Sequence, residues 1–311
     1  MFAQGELHAA LDEAYRAGLE VCGEGQVATY IPELAKVDRQ KFALVVTQVD
    51  GSTQAIGDAD QPFTLQSVSK VFSLACVMRA SGLEIFKSMS VEPSGDAFFS
   101  IVKLEEERGR ARNPYINAGA IAVSAALPGE DFAAKVKAFR TFLGEVSGAT
   151  AGDYPVDEQV FRSEAQHGWR NQSLANMMRH YNVLADPDLA AMTYFRQCAT
   201  QATTSQLARL GLFLANGGVD PLTKVVILSA DHNRRAVALM TTCGMYDEVG
   251  NHAIAVGLPT KSAVSGAMLA IVPKQMSIAV YGPALGKKGN SVAGTKALSV
   301  LSQRLGLSLF G

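Results

Sequence analysis

The sequence is poor in cysteine and does not pair the cysteines it has. Its 311 residues include only Cys22, Cys76, Cys198 and Cys243. None forms a C-x-x-C pair, and three sit in apolar helical stretches, so they read as reduced, buried thiols packing as small hydrophobes. Neither sign of charge is in excess. Lys+Arg is 28 and Asp+Glu is 29, a net charge of -1. A protein that grips phosphate backbones usually carries a basic surplus, so nucleic acid is not an expected partner. Long hydrophobic runs are missing as well. The most apolar region, "AIAVGLPTKSAVSGAMLAIVPK", is cut by prolines and lysines before it reaches the ~20 residues a membrane helix needs. The first residues, "MFAQGELHAALDEAYRAG", are amphipathic and contain acids, unlike a signal peptide with its basic start and apolar run. These absences predict a cytoplasmic protein with no membrane partner.

Cofactor signals are also lacking. His8, His167, His180, His232 and His252 are scattered, and none has ligand spacing beside a carboxylate or cysteine, so no metal is expected. "YGPALGKKGNS" invites a phosphate-loop reading, but only three residues separate Gly282 from Gly286. Lys288 also stands where that loop needs Ser or Thr. No metal or organic cofactor is expected.

What is present is a globular composition, 48% hydrophobic and 18% charged, in a chain long enough for a substantial core. "KFALVVTQVDGSTQAIGD" alternates around Asp50-Gly51, a hairpin signal. Near the other end, "HAIAVGLP", "SGAMLAIVP" and "MSIAVYGP" read as three successive strands, followed by a helix over about Val292 to Leu305. Between them lie "SVSKVFSLACVMRAS", "NAGAIAVSAAL", "EDFAAKVKAFRTFLGEV", "NQSLANMMRHYNVL", "LAAMTYFRQCA" and "SQLARLGLFLANGG". Most have apolar positions at helical spacing, and Asn216-Gly217-Gly218 makes a C-terminal stop. "EEERGRAR", Glu105 to Arg112, reads as a solvated loop. Strands at both ends must pair into one sheet around a helical centre, an α+β arrangement. The expected organisation is one catalytic domain, 1–311. Its sheet lobe would span about 1–66 plus 245–311, and its helical lobe about 67–244.

"FTLQSVSK" sets Ser67 and Lys70 one helical turn apart. If a helix begins there, the hydroxyl and amine can meet. Free N–H groups at its start would stabilise an oxyanion, and the positive dipole end together with burial would lower the lysine pKa. Leu65, Val71, Phe72 and Leu74 supply the burial. The same four residues also fit an ordinary helix N-terminus with a surface lysine. Two further elements favour chemistry. Serine acyl-transfer enzymes of the β-lactamase and penicillin-binding type combine S-x-x-K with S-D-N and K-T-G. Here "PYINAGA" offers Tyr115-x-Asn117, and "LPTKSAVSG" offers Lys261-Ser262-Ala263, in the same order.

Longer stretches carry a more specific resemblance. "VATYIPELAKVD", "FTLQSVSKVF", "VEPSGDAF", "RNPYINAGAI", "SEAQHGWRN", "YFRQCA", "TTCGMYDEVGNHAIAVGLPTKSAVSGAM" and "VAGTKALSVLS" run from about residue 20 to the end. Together they resemble the serine-dependent glutaminases, which hydrolyse L-glutamine to L-glutamate and ammonia on a β-lactamase/DD-peptidase-like fold. The resemblance implies Ser67 as nucleophile and Lys70 as base. It implies Asn117 as a substrate ligand, Glu164 at the substrate amine and Asn171 at the α-carboxylate. Tyr194 and Tyr246 match active-site tyrosines, with Tyr246 in a proton relay. The backbone N–H groups of Ser67 and Val264 match an oxyanion hole, and Tyr30 a lid over bound substrate. A homodimer or homotetramer is implied too.

One acid, two amides and several tyrosines suit a zwitterion with a short neutral side chain. Each residue also has a plainer reading: Tyr30 and Tyr194 as core aromatics, Glu164 as a helix-surface acid, Asn117 as a helix cap, and Lys261 as a solvated edge-strand residue. Lys261 is expected near the site but less essential than Lys70. The chain departs from the family pattern at Val249, Asn251 and His252, and at Ala263 and Ser265, where glycines are common. Two other readings share the motif set: a penicillin-binding-type acyl-serine hydrolase or peptidase, and a glutamine-binding protein without turnover.

Overall fold

The two ends of the chain pair, as their apolar patterns require. The computed structural model describes residues 2–95 and 99–311, so the end of "VEPSGDAF" lies outside the described residues. Strands β1 (Ala43–Gln48) and β2 (Thr53–Gly57) form the N-terminal hairpin, and β6 (Ala267–Val272) and β7 (Met276–Tyr281) the C-terminal one. Two short strands, β3 (Phe63–Thr64) and β4 (Gln201–Ala202), pair separately. With β5 (Thr260–Ser262), the main sheet runs β2-β1-β7-β6-β5, antiparallel throughout. Its central seam joins the chain ends, with Val45 opposite Ala279. At the Asp50-Gly51 turn, Gly51 takes φ +91° and Ser52 N–H donates to Asp50 Oδ1 at 2.8 Å.

Both faces of this sheet are covered. Ala43, Val45, Leu269, Ile271, Ala279 and Tyr281 pack toward the central helices. Leu44, Val46, Met268, Ala270, Ile278 and Val280 pack under α1 (Gln4–Glu20) and α13 (Val292–Leu305). That explains why β1 reads "ALVV", a continuous apolar run unusual for an antiparallel strand with one wet face. The N-terminal amphipathic run becomes α1, burying Leu7, Ala10, Leu11, Ala14 and Gly18 at helical spacing.

The helical side comprises α2 (Ser69–Ser81), α3 (Ile101–Glu106), α4 (Asn117–Ala125), α5 (Phe132–Ser147), α6 (Glu158–His167), α7 (Trp169–His180), α8 (Pro187–Cys198), α9 (Thr204–Leu210), α10 (Leu212–Ala215), α11 (Ala230–Cys243) and α12 (Val249–Ala255). Helix α2 is buried from Ser69 to Met78 and α4 from Asn117 to Ser124. A helix apolar on every side belongs in an interior, and these two carry the residues nearest the candidate chemistry. Among the described residues no helix is long and apolar enough to cross a membrane.

Two expectations need correction. "HAIAVGLP" is not a strand: His252 to Ala255 close α12, and the strand begins later, at Thr260. Burial falls on His252 and Val256, four apart, while Ile254 is 88% exposed, so the alternation in sequence masks a helical spacing. "EEERGRAR" is only partly a loop, because Glu105 and Glu106 end α3, and Arg112 pairs with Glu107 at 3.0 Å.

His252 itself is buried. Its Nε2 lies 2.8 Å from Thr260 Oγ1, whose hydroxyl donates to Leu258 O at 3.0 Å. The ring therefore donates from Nε2, and Nδ1 finds no partner among the described residues. Burial lowers the imidazole pKa to about 4. The unfolded chain binds this proton below about 6.5 and the native chain resists it until about 4. Stability is lost as pH falls across that window, by up to about 3 kcal/mol. We expect His252→Gln to flatten the acid limb of Tm between pH 7 and 4.5. Parallel limbs for wild type and variant in a thermal-melt series would refute this.

Candidate active site

The two ends of "FTLQSVSK" take different structures. Gln66–Val68 is a single 3-10 turn and the α-helix starts only at Ser69. Gln66 enters that turn at φ +46°, a left-handed conformation that strains a non-glycine residue. It places Ser67, 8% exposed, on the wall of a cavity of about 410 Å³. Lys70 points inward, 1% exposed. Its Nζ donates to Tyr115 O at 3.0 Å and Asn117 Oδ1 at 2.8 Å, and lies 3.4 Å from Tyr246 OH. Burial lowers its pKa to about 7, opposed by Cys198 and Glu164.

Asn117 is the first residue of α4 and the hub of the site. Besides Lys70, its Oδ1 accepts from Tyr194 OH at 3.3 Å, and its Nδ2 donates to Asn171 Oδ1 at 2.9 Å. The approach to α4 is fixed locally, because Asn113 Oδ1 accepts from Tyr115 N–H and Ile116 N–H at 2.9 and 3.1 Å. That Asx turn sets the Tyr115 carbonyl against Lys70. Glu164 projects from α6, 8% exposed, and its pKa is raised to about 7 by burial; the Gln66 hydrogen bond and Lys70 pull the other way. Tyr194, on α8, is buried, and Asn171, on α7, is half-buried.

Tyr246 follows Gly244, where a side chain could not fit: an added Cβ would stand 1.8 Å from Thr260 O. This close approach brings the Tyr246 turn against β5. Tyr246 itself is at φ +53°, and its phenol bonds to the Ser67 hydroxyl. Beyond it lies Lys261, fully buried, its Nζ donating to Gly244 O at 3.0 Å and Ser262 O at 2.6 Å. That Nζ sits 4.0 Å from the Tyr246 ring centroid. Burial, then the charge of Lys70, holds the Lys261 pKa well below its ordinary value. Lys261 is thus no solvated edge residue.

Tyr30, Ser67, Asn117, Glu164, Asn171, Tyr194 and Val264 all line the cavity. Tyr30 is 62% exposed. Lys70 and Tyr246 do not line it. They stand behind Ser67, and Tyr246 faces a neighbouring cavity with Asn113 and Val249. Sequence reasoning passed over Gln66, whose Nε2 donates to Glu164 Oε1 at 2.9 Å. Its only signal was its place beside Ser67. Asn113 and the Tyr115 carbonyl were likewise unassigned. Chemically, the arrangement offers a hydroxyl tied to a phenol, a buried amine of lowered pKa, and an acid-and-amide wall.

Comparison with known proteins agrees. The family model described as Glutaminase matches residues 25–310. A glutaminase of Rhizobium etli (strain CIAT 652) is 46% identical over 312 residues, covering 98% of this chain and 99% of the relative. A solved probable glutaminase, ybaS, is 34% identical with a TM-score of 0.94, covering 99% of each chain. A probable glutaminase from Bacillus subtilis, solved complexed with 6-diazo-5-oxo-L-norleucine, is 33% identical with a TM-score of 0.87, covering 97% of this chain and 96% of that one. The fold is β-lactamase-like, as these neighbours are.

Because the Gln66 amide lowers the Glu164 pKa, Gln66→Leu should move it upward from about 7. A carboxyl-carbon NMR titration reads this directly, and an unchanged midpoint would show that the contact has no electrostatic weight.

Proposed function

The chain belongs to the glutaminase family and is an amidohydrolase acting on L-glutamine, and we propose that it works through a γ-glutamyl ester on Ser67 with Lys70 as base. The observation that carries this reading is the buried Lys70 amine, lowered to about 7 and joined to Ser67 through Tyr246. A neutral amine has two N–H donors and one lone pair. Tyr115 O and Asn117 Oδ1 take the two donors. The lone pair is left for the Tyr246 hydroxyl, which donates to it while accepting from Ser67.

The reaction then follows. The Ser67 proton passes to Tyr246 as the Tyr246 proton passes to Lys70, and Oγ attacks the side-chain carbonyl. The oxyanion forms against the N–H groups of Ser67 and Val264. The Lys70 proton returns by the same relay to the departing nitrogen, releasing ammonia. Water, deprotonated along the same path, hydrolyses the ester. Glu164 faces the substrate amine, and the arriving ammonium favours the carboxylate over the protonated acid that burial prefers. Asn117 and Asn171 serve the substrate's polar groups, Tyr194 orients Asn117, and Tyr30 covers the mouth. The acid facing a free amine favours glutamine over a penicillin or an internal peptide bond. The turnover machinery argues against a purely binding role.

In the same reading the sheet and helical lobes form one catalytic domain, and the protein is a homo-oligomer, a dimer or tetramer, which sedimentation would test. Four free thiols support a reducing, cytoplasmic setting.

Ser67→Ala should lower ammonia release from glutamine by about 10³-fold or more. It should also abolish the mass gained by wild type on treatment with 6-diazo-5-oxo-L-norleucine. Equal turnover by wild type and variant would remove Ser67 as nucleophile. A protonated Lys70 cannot accept a proton, so kcat/KM should rise with pH up to a bend near pH 7, set by Lys70 and Glu164 together. A flat profile between pH 5.5 and 8 would contradict the proposed base.

A further inference from the structure

The carbonyl of Gln66 is gripped from the interior. Ser69 opens α2, and its Oγ donates to Gln66 O at 2.5 Å. The Ser69 backbone N–H points to the same oxygen. The hydroxyl is itself held: Gln197 Nε2, from α8, donates to Ser69 Oγ at 3.0 Å. Gln197 Oε1 in turn lies 3.0 Å from Ser124 Oγ, on α4, which also reaches Ala120 O at 2.9 Å with its one proton. The Cys198 thiol, kept protonated by burial, is a further neighbour of Ser69. A chain of hydrogen bonds thus runs from α4 through α8 to the turn before α2.

Ser69, Gln197 and Ser124 are at most 2% exposed. Replacing both partners of a buried hydrogen bond by apolar groups of the same shape is nearly neutral for stability. Stability alone therefore does not account for three neutral polar side chains joined inside the core. What they fix is a peptide plane. The Gln66–Ser67 bond is trans, and in a planar trans peptide the C=O and N–H point in opposite directions. With Gln66 O held by Ser69, the Ser67 N–H faces away from Ser69 and Gln197. That N–H lies ahead of the turn's first hydrogen bond, Val68 N–H to Leu65 O at 3.0 Å, so it has no partner within the turn. The left-handed Gln66 sets this orientation, and such a conformation persists only where its surroundings over-determine it. A hydrogen bond accepted at the carbonyl also polarises the peptide and strengthens its N–H as a donor.

We propose that Ser69 and Gln197 are positioning residues for the oxyanion hole: they hold the Gln66–Ser67 peptide plane so that the Ser67 N–H meets the oxyanion beside that of Val264. Neither side chain lines the cavity, so both act through the peptide. The inference rests on the Ser67 mechanism above and adds two residues that the mechanism leaves unused. An oxyanion donor counts most when the carbonyl oxygen takes up charge, so its misalignment falls on kcat and spares KM.

The full chain is compared as wild type, Ser69→Ala, Ser69→Thr and Gln197→Leu. Ser69→Ala should lower kcat for glutamine about 10-fold or more, with KM held within about twofold. Ser69→Thr, which keeps the hydroxyl, should recover most of that loss, and Gln197→Leu should fall between. The direct readout is infrared difference spectroscopy of the adduct with 6-diazo-5-oxo-L-norleucine, isotopically labelled at its ketone carbon. The diazo carbon takes up the Ser67 proton, loses N2 and bonds to Oγ, so the ketone survives at the position of the scissile carbonyl. Its stretch should lie at higher wavenumber in Ser69→Ala and Gln197→Leu than in wild type, because a misaimed N–H polarises it less. Two variants break the chain at different points, so if circular dichroism shows one unfolded, the other decides. Wild-type kcat in the folded variants would overturn the proposal. So would a lower kcat with an unmoved ketone stretch, which marks a merely structural defect and leaves Ser67 as nucleophile. If wild type forms no adduct on Ser67, the mechanism above and this proposal fall together.

Discussion

The structure turns on one buried lysine whose pKa burial lowers to about 7. Lys70 is surrounded by a carbonyl, an amide oxygen and a phenol, with no carboxylate bonded to it among the described residues. Burying an ammonium there would cost several kcal/mol, and three neutral oxygens return only part of that. With its pKa lowered to about 7, the neutral amine becomes well populated near neutral pH. Each neighbour has a second task as a result: the Tyr115 carbonyl and Asn117 amide occupy the N–H groups, which turns the lone pair toward Tyr246. The elements that deliver these groups are α2, the Asx turn before α4, and the segment after Gly244. Each is packed into the interior shared by the sheet and the central helices. The large core is therefore a condition for the chemistry, because a wet site would leave the amine charged.

The same corner concentrates backbone strain. Gln66 and Tyr246 both adopt left-handed φ, at about 1–3 kcal/mol each. Local bonds offset some of this. Gln66 O accepts from Ser69 Oγ at 2.5 Å, Gln66 Nε2 reaches Glu164, and Tyr246 is held between Lys70, Ser67 and the Lys261 amine over its ring. Relaxing Gln66 would move its amide off Glu164, and relaxing Tyr246 would move its phenol off Ser67. The sheet, covered on both faces, supplies the stability against which this strain is held.

Much of this was legible in the sequence, and the remainder was hidden for physical reasons. The Asp50-Gly51 hairpin, the helix over Val292–Leu305 and the pairing of the two ends follow from local periodicity and turn chemistry. The "HAIA" run misled because four residues of alternation fit a strand as readily as a helix end, and only the tertiary burial of His252 decides. Among site residues, Ser67, Lys70 and Asn117 announce themselves by spacing and order. Gln66 bonding Glu164 spans 98 positions, and the Tyr115 contribution is a carbonyl, a group every residue has. Such long-range and main-chain contacts leave no compositional trace. Tyr246 was named through the family resemblance alone, because its place beside Ser67 and Lys70 depends on how closely Gly244 meets Thr260.

Lys261 adds the last constraint. Two buried amines flank the Tyr246 phenol, one hydrogen-bonded to its oxygen and the other over its ring. Their charges repel, and the charge of Lys70 is one cause of the low Lys261 pKa. In a shared low-dielectric site two such groups do not both charge readily. In the proposed mechanism a proton from Ser67 settles on Lys70, which the lowered Lys261 pKa favours, and the Lys261 Nζ donates to the Gly244 and Ser262 carbonyls. Lys261 thus packs against the phenol with its donors on two carbonyls and its pKa held down, which limits the charge it brings to a phenolate. In the proposed relay Tyr246 then carries the proton between Ser67 and Lys70 without becoming its resting place.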